Sequence, residues 1–157
     1  MTNLTHKHVE ELERRMEQPR VMRLHEAALL PTRAHEWDAG WDVHADETVV
    51  IRPGETVKVR TGIAVGVPVG QVCDVRSRSG LASRGVVVAN SPGTIDAGYV
   101  GEVCVLLHNQ VRELHRVNRG DRIAQLVFLP INTTPLREVN ALDESERGGA
   151  GFGSTGK

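Results

Sequence analysis

Short apolar runs separated by turn-forming residues fill the chain from residue 21 to about residue 130. In several runs polar and apolar residues alternate, which is the period of a half-buried β-strand. Gly, Pro, Asn and Asp lie between the runs, where tight turns need them. The predicted strands are Thr48–Ile51, Thr56–Arg60, Ile63–Val67, Val72–Val75, Val86–Ala89, Val103–Leu107 and Ile123–Leu129. This pattern favours an all-β fold, an antiparallel β-sandwich or jelly roll.

The N-terminal residues follow a helical period instead. Residues 4 to about 18 carry a thin apolar stripe, and Pro19 ends the pattern. The stripe consists of Leu4, Val9, Leu12 and Met16. We expect residues 1–20 to form a short helical extension that leans on the body of the domain. Docking of a protein partner on this helix is the alternative interpretation.

Length and composition fit one ordinary globular domain. The chain has 157 residues, of which 39% are hydrophobic and 25% charged. The formal net charge of -1 gives no basic field for stable nucleic-acid binding. No stretch reaches the roughly 18 apolar residues of a membrane span, and the N-terminus has no apolar signal core. These features predict a cytoplasmic protein with no membrane partner, in which Cys73 and Cys104 are small buried core residues.

Aromatic residues make up only 3% of the chain, so one outside the core needs a reason. Phe152 lies in the glycine-rich tail that follows residue 146. Its segment, Gly151–Lys157, fits the spacing of a phosphate-binding loop, but no helix follows Lys157 to complete one. We therefore expect a mobile arm, residues 146–157, that closes over a ligand with its ring, its hydroxyls and Arg147.

Three polar segments between the strands carry candidate chemistry. Asp42 lies beside a glycine turn, where an Asp that only stabilises the turn is the default. Arg78, Ser79 and Gly80 combine a guanidinium, a hydroxyl and a free backbone N–H, which suits phosphate oxygens. A solvated basic loop is an equal alternative there. Gln125 lies in an apolar strand, where its amide must find a backbone or a ligand partner.

The densest polar segment is Asn90–Tyr99, which we expect to form a hairpin around its Pro-Gly turn. The Asn90 amide offers both a donor and an acceptor, enough to recognise the imide or amide edge of a base. Asp96 follows apolar Ile95, where partial desolvation would favour a role as a general base. Tyr99 is the only tyrosine of the chain. A different triplet, Arg119-Gly120-Asp121, is interpreted as a tight turn before a strand.

Taken in order, these segments resemble the five motifs of the trimeric deoxyuridine triphosphatases, or dUTP pyrophosphatases. The resemblance covers residues 21 to 157. The matching strings are AGWDV, RSGLA, GTIDAGY, GDRIAQL and the tail RG–GFGSTG. The stretch NSPGTIDAGY is especially similar to actinobacterial members. One such string is a modest signal, whereas five in order are a strong one.

The resemblance implies a jelly roll of residues 21–145 that assembles as a homotrimer with active sites between subunits. The arm, residues 146–157, would close a neighbour's site. The implied reaction is Mg²⁺-assisted hydrolysis of dUTP to dUMP and pyrophosphate, which limits uracil incorporation into DNA and supplies dUMP for dTMP synthesis. Asp96 would be the general base that activates the water attacking the α-phosphorus.

The other site residues are also implied by matching positions. Asn90 and the backbone around Gly93, Thr94 and Ile95 would recognise uracil, and Tyr99 would pack on the deoxyribose and exclude a 2′-hydroxyl. Arg78, Ser79 and Gly80 would hold phosphates, while Asp42 and Gln125 would order waters around Mg²⁺ or the phosphate chain. From the arm, Arg147, Gly153, Ser154 and Thr155 would bind substrate, the γ-phosphate end above all, and Phe152 would stack on uracil.

The chain departs from the family pattern at three positions. Ser77 stands where the second motif usually has Pro, which is expected to loosen that loop. Val100 replaces a frequent Arg, and Ala150 replaces a Gly of the tail. Two other functions stay open: a dCTP deaminase, which shares the fold but usually lacks the Phe-bearing tail, and a trimeric binding protein switched by nucleotide occupancy.

Overall fold

The computed structural model describes residues 18–145 and 147–149. These residues form ten strands and one short helix, which confirms the all-β prediction. The strands are β1 (Arg20–Arg23), β2 (Trp41–His44), β3 (Val49–Ile51), β4 (Thr56–Gly66), β5 (Gln71–Arg76), β6 (Val86–Val88), β7 (Gly93–Ile95), β8 (Glu102–Asn109), β9 (His115–Val117) and β10 (Arg122–Pro130). The helix, α1, spans Ser79–Ala82. The predicted N-terminal helix lies outside the described residues.

Two antiparallel four-stranded sheets form the jelly roll. One has the strand order β1-β4-β8-β6 and the other β2-β10-β5-β7, while β3 and β9 form a separate ribbon. Most neighbours in a sheet are distant in sequence, so the chain crosses repeatedly between the two layers. No helix among the described residues is long and apolar enough to span a membrane.

The core between the sheets is built from aliphatic residues, as the low aromatic content predicts. Strand β8 shows the rule: Val103, Val105 and Leu107 are buried, while the residues between them face outward. Cys73 belongs to this core, and burial raises the pKa of its thiol to about 12. Cys104 lies on the outward face of β8 and is only half-buried, so its prediction as a core residue is wrong.

Strand β4 is longer than predicted because a bulge replaces an expected turn. The sequence suggests two strands separated at Thr61 and Gly62, but Thr56–Gly66 is continuous and its register with β8 shifts between Arg60 and Ala64. Gly62 has a φ of 69°, and its N–H donates to the Glu102 carboxylate at 2.8 Å. The glycine therefore marks an irregularity inside a strand rather than its end.

The segment Asn90–Gly93 is a crossover between the sheets and not the tip of a hairpin. Strand β6, before it, pairs with β8, whereas β7, after it, pairs with β5 in the other sheet. The hairpin prediction is wrong because sequence spacing alone cannot assign partners to two short apolar runs. The crossover leaves β7 at the edge of its sheet, with one side of its backbone unpaired by a strand.

Candidate active site

A cavity of about 320 Å³ opens beside strand β7. We call it the β7 cavity. Its lining residues are Lys58, Val75, Asn90, Gly93, Thr94, Ile95, Asp96, Tyr99, Glu102, Val103 and Cys104. The structure thus brings together six of the predicted site residues, all from the crossover, β7 and the turn after it. Because β7 is an edge strand, its backbone borders this space directly.

Asn90 lies against the backbone of Gly93, at the entrance to β7. A Cβ atom on Gly93 would lie 2.9 Å from Asn90 Nδ2, closer than real side chains allow. Gly93 is itself buried, whereas Asn90 is exposed toward the cavity. The glycine therefore leaves the space in which the Asn90 amide lies beside the cavity.

Asp96 is exposed in the single chain. Ile95 is only 8% exposed and packs in the core, and alternation along the strand turns the next side chain outward. The desolvation expected from Ile95 is therefore not supplied by this neighbour. The carboxylate instead reaches the open mouth of the β7 cavity.

Tyr99 is fixed by the turn that follows Asp96. Its N–H donates to the Asp96 carbonyl at 3.2 Å, and Gly98 adopts a φ of 96°, which favours glycine at that position. The Tyr99 hydroxyl donates to the Glu102 carbonyl at 3.0 Å. The ring is 48% exposed and borders the cavity.

A second group of predicted residues meets where β2, β10 and the loop after β5 come together. The Asp42 carboxylate accepts from Arg78 Nε at 2.6 Å, from Arg78 Nη2 at 3.2 Å and from Arg122 Nη1 at 3.1 Å. We call these three residues the arginine cluster. Asp42 and Arg78 are largely buried, with 18% and 22% of their side chains exposed. Sequence reasoning assigns no role to Arg122, although this residue lies within the motif GDRIAQL.

Gln125 is the register partner of Asp42 across β10 and β2. Its Nε2 donates to the Ser77 carbonyl at 3.0 Å, so the backbone satisfies this half of the amide. A Cβ atom on Gly40 would collide with its Oε1. Asp42 and Gln125 are hard oxygen donors that suit Mg²⁺, but Asp42 already pairs with two guanidinium groups. This donor set fits a water-mediated contact to Mg²⁺ held mainly by phosphate oxygens.

Ser77 makes three hydrogen bonds in the loop after β5. Its Oγ accepts from the Val88 N–H at 2.8 Å, and its own N–H donates to Ser91 Oγ at 3.3 Å. Its carbonyl accepts from Gln125 Nε2 at 3.0 Å. A proline at this position could neither accept with a hydroxyl nor donate an N–H, and the effect of the serine on loop mobility stays a prediction.

Arg78, Ser79 and Gly80 lead from this loop into helix α1. Buried Leu81 holds the helix against the body, and Ser79 and Gly80 remain exposed. None of the three lines the β7 cavity, and neither do Asp42 and Gln125. Within one chain, these residues therefore form a group apart from the lining of the β7 cavity. Arg147 is exposed in the turn at residues 147–149, and Phe152, Gly153, Ser154 and Thr155 lie outside the described residues.

His44 lies close to the arginine cluster on strand β2. Burial lowers the pKa of His44, and the positive charges of Arg122 and Arg78 lower this pKa further against the opposing effect of Asp42. Its Nδ1 has no hydrogen-bond partner within the described part of the chain. The imidazole is therefore neutral at neutral pH and adds no positive charge to the cluster.

Sequence reasoning missed Lys58, Glu102 and Cys104 as cavity residues. The available signal was strand alternation, because β4 and β8 place these side chains on their outward faces. Among the described residues, no group of three or more His, Cys, Asp or Glu side chains could hold a metal ion.

The described residues combine an antiparallel jelly roll with an amide- and carboxylate-lined cavity and a separate arginine cluster, side chains that suit the edge of a base and phosphate oxygens. The family model for dUTPase matches residues 26–156, and the chain belongs to the dUTPase family. This confirms the resemblance found in the five motifs.

Curated relatives include actinobacterial proteins named deoxyuridine 5′-triphosphate nucleotidohydrolase. That of Corynebacterium glutamicum is 49% identical over 140 residues, which cover 88% of this chain and 94% of the relative. That of Mycobacterium marinum is 50% identical over 143 residues, covering 87% and 93%. The actinobacterial likeness of the sequence is thereby confirmed.

Solved structures match over the same region. The dUTPase of Staphylococcus bacteriophage 80alpha with dUpNHpp superposes with a TM-score of 0.83 at 35% identity, covering 90% of this chain and 99% of that one. A mutant dUTPase of phage phi11, described with a structural Mg(II) ion, gives 0.75 at 32% identity, covering 82% and 100%.

Proposed function

We propose that this protein hydrolyses dUTP to dUMP and pyrophosphate. The observation that carries the proposal is the β7 cavity, where an amide, a carboxylate, a phenol ring and an unpaired strand edge converge in a chain of the dUTPase family. In the cytoplasm this reaction would limit uracil incorporation into DNA and supply dUMP for dTMP synthesis.

Uracil recognition falls to Asn90 and the backbone of Gly93, Thr94 and Ile95. Uracil presents a donor, N3–H, between two carbonyl acceptors. The free edge of β7 and the Asn90 amide supply complementary donors and acceptors. Cytosine presents an amino donor in place of one carbonyl, so it would leave cavity groups unpaired. Tyr99, at the same cavity, packs on the sugar and leaves no room for a 2′-hydroxyl.

Phosphate binding falls to Arg78, Ser79 and Gly80. The Arg78 guanidinium is held in place by Asp42, and the exposed hydroxyl and backbone N–H groups beside it suit phosphate oxygens. Because this half-site does not line the β7 cavity of the same chain, we propose that a second copy supplies it. In a homotrimer with sites between subunits, the threefold symmetry would form three such sites, each from two neighbouring copies.

The proposed mechanism gives Asp96 one task. Its carboxylate takes a proton from a water molecule, whose oxygen forms a bond to the α-phosphorus while the bond from that phosphorus to the bridging oxygen breaks. Pyrophosphate leaves and dUMP remains. Asp42, through water, and Gln125 would hold Mg²⁺, which when bound neutralises phosphate charge. The arm would complete the site with Arg147, Phe152, Gly153, Ser154 and Thr155 and exclude bulk water.

Pyrophosphate release from the purified protein with Mg²⁺ tests the proposal, with dUTP, dCTP, dTTP and UTP compared at equal concentration. Release from dUTP alone is the expected result. Ammonia release from dCTP with no turnover of dUTP would instead identify a deaminase. Tight dUTP binding with no turnover of any nucleotide would identify a nucleotide-switched binding protein.

A further inference from the structure

We propose that Gly101 is a positioning residue that sets discrimination against ribonucleotides, because its missing side chain leaves the space in which the Tyr99 ring lies. This inference rests on the proposed function and names a determinant of its sugar specificity. We call Gly101 together with the Glu102 carbonyl the tyrosine seat. Neither group is among the residues expected to contact substrate.

The ring occupies the volume that a side chain at position 101 would need. A Cβ atom on Gly101 would lie 2.5 Å from Tyr99 Oη, 2.7 Å from Cζ and 3.1 Å from Cε2. Real Cβ atoms essentially never come within 3.0 Å of a neighbour. Any other residue at this position would therefore displace the ring from its present place.

The far end of the ring is anchored by a part of the backbone that is itself fixed. Tyr99 Oη donates to the Glu102 carbonyl at 3.0 Å. The Glu102 side chain accepts from the Gly62 N–H at 2.8 Å and from Arg60 Nε at 3.0 Å, which ties the start of β8 to the bulge of β4. The tyrosine seat is thus a rigid support for a half-exposed ring.

Backbone strain does not explain the glycine at position 101. Gly98, three residues earlier, has a φ of 96°, a backbone conformation that favours glycine. Gly101 does not have a positive φ, so alanine can adopt its backbone. The glycine instead allows the Tyr99 ring to lie close to the backbone at position 101. Since the ring is 48% exposed, it can swing away when a methyl group is added, at little cost to the fold.

A displaced ring would stop filling the space beside the sugar C2′ atom. The ring can exclude a 2′-hydroxyl only if its position is kept to within about 1 Å, because the exclusion is steric. A misplacement of a group by about 1 Å can change a reaction rate by about a hundredfold. We therefore expect the Gly101→Ala variant to lose selectivity between dUTP and UTP, with its ratio of kcat/KM values falling about 10- to 100-fold.

The test compares Gly101→Ala with Val100→Ala, a neighbouring control that is 81% exposed and does not line the β7 cavity. The readouts are kcat/KM for dUTP and UTP and the ring signals of protein carrying ¹³C-labelled tyrosine. Tyr99 is the only tyrosine, so each spectrum reports this ring alone. Gly101→Ala should shift the ring signals and reduce the dUTP:UTP ratio, whereas Val100→Ala should leave both near wild type.

The outcomes separate this inference from the proposed function. A wild-type protein that selects dUTP while Gly101→Ala keeps the full ratio would overturn the role of Gly101 alone. A wild-type protein without dUTP turnover would overturn both. If Gly101→Ala does not fold, Tyr99→Phe tests the other half of the tyrosine seat. Loss of the hydroxyl anchor should lower the ratio in the same direction, and an unchanged ratio would contradict the inference.

Discussion

Arg78 donates two hydrogen bonds to the Asp42 carboxylate, from Nε to one oxygen at 2.6 Å and from Nη2 to the other at 3.2 Å. This paired geometry fixes the plane of the guanidinium as well as its position. The family pattern suggests a metal-linked role for Asp42, whereas its contacts in the chain are with arginines. Orientation of Arg78 and contact with Mg²⁺ through water are two roles that an experiment can separate.

Asp42→Asn should reduce kcat/KM for dUTP about 10- to 100-fold, because Arg78 loses the partner that orients it. Kinetics over a series of Mg²⁺ concentrations distinguish the two roles. A defect that persists at saturating Mg²⁺ supports orientation, whereas recovery at high Mg²⁺ would show that metal binding dominates. Glu55→Gln is the control, because it weakens an exposed pair with Arg52 in a turn that does not line the β7 cavity.

Asp96→Asn should bind dUTP with nearly unchanged affinity and lose about 10²- to 10⁴-fold in kcat, because the amide cannot accept the proton of the attacking water. Calorimetric titration gives the affinity, and pyrophosphate release gives kcat. Turnover close to wild type would remove Asp96 from the role of base. A loss of binding alone would make it a recognition residue.

Deletion of residues 146–157 should reduce hydrolysis by about a hundredfold or more while the domain keeps its fold. The described core lies between residues 28 and 128, and residues 147–149, the described part of the deleted segment, are exposed, so we expect the truncated chain to keep its packing. Thermal unfolding and circular dichroism should match the full chain. Full activity after truncation would contradict a closing role, and unfolding would show that the arm is part of the core.

The His25–Asp46–Arg119 contacts should make stability depend on acid pH. Asp46 accepts from His25 at 2.6 Å and from Arg119 at 3.0 Å. Burial raises the pKa of Asp46, but these hydrogen bonds and charges outweigh it, so the pKa lies below the usual 3.8. A depressed carboxyl pKa stabilises the fold above the unfolded value, and this contribution disappears as the pH falls through the folded value.

Asp46→Asn should therefore lower the melting temperature by a few degrees at pH 7, and the difference from wild type should shrink as the pH falls below 3.8. Thermal unfolding at several pH values measures it. Asp38→Asn, in the loop before β2, is the control variant. A difference between Asp46→Asn and wild type that stays constant over this acid range would contradict the assignment.

Local pattern predicted which neighbouring residues converge better than it predicted contacts between distant segments. Asn90, Asp96 and Tyr99 lie within ten residues of each other, so their convergence at one cavity follows from short-range geometry. The pairing of Arg78 with Asp42 spans 36 positions and depends on β2 reaching β5 only through β10. That strand order depends on how whole sheets pack, and the hydrophobic period of a single segment does not determine it.

The errors have the same origin. Gly62 carries the signal of a turn, and only the register shift between β4 and β8 reveals a bulge inside β4. The apolar runs β6 and β7 are close enough in sequence to suggest a hairpin, yet each finds its partner in a different sheet. The three hydrogen-bond partners of Ser77 come from residues that lie far from it in the chain, so the local sequence does not reveal them.

Three side chains with predicted roles lie directly on glycines: Asn90 on Gly93, Gln125 on Gly40 and Tyr99 on Gly101. A survey that ranks positions by expected ligand contact would overlook Gly40 and Gly101, although one added methyl group at either reaches a side chain with a predicted role. We therefore expect more positions to affect the activity of this protein than its predicted contact residues alone. Changes in substrate preference can arise at positions that never meet the nucleotide.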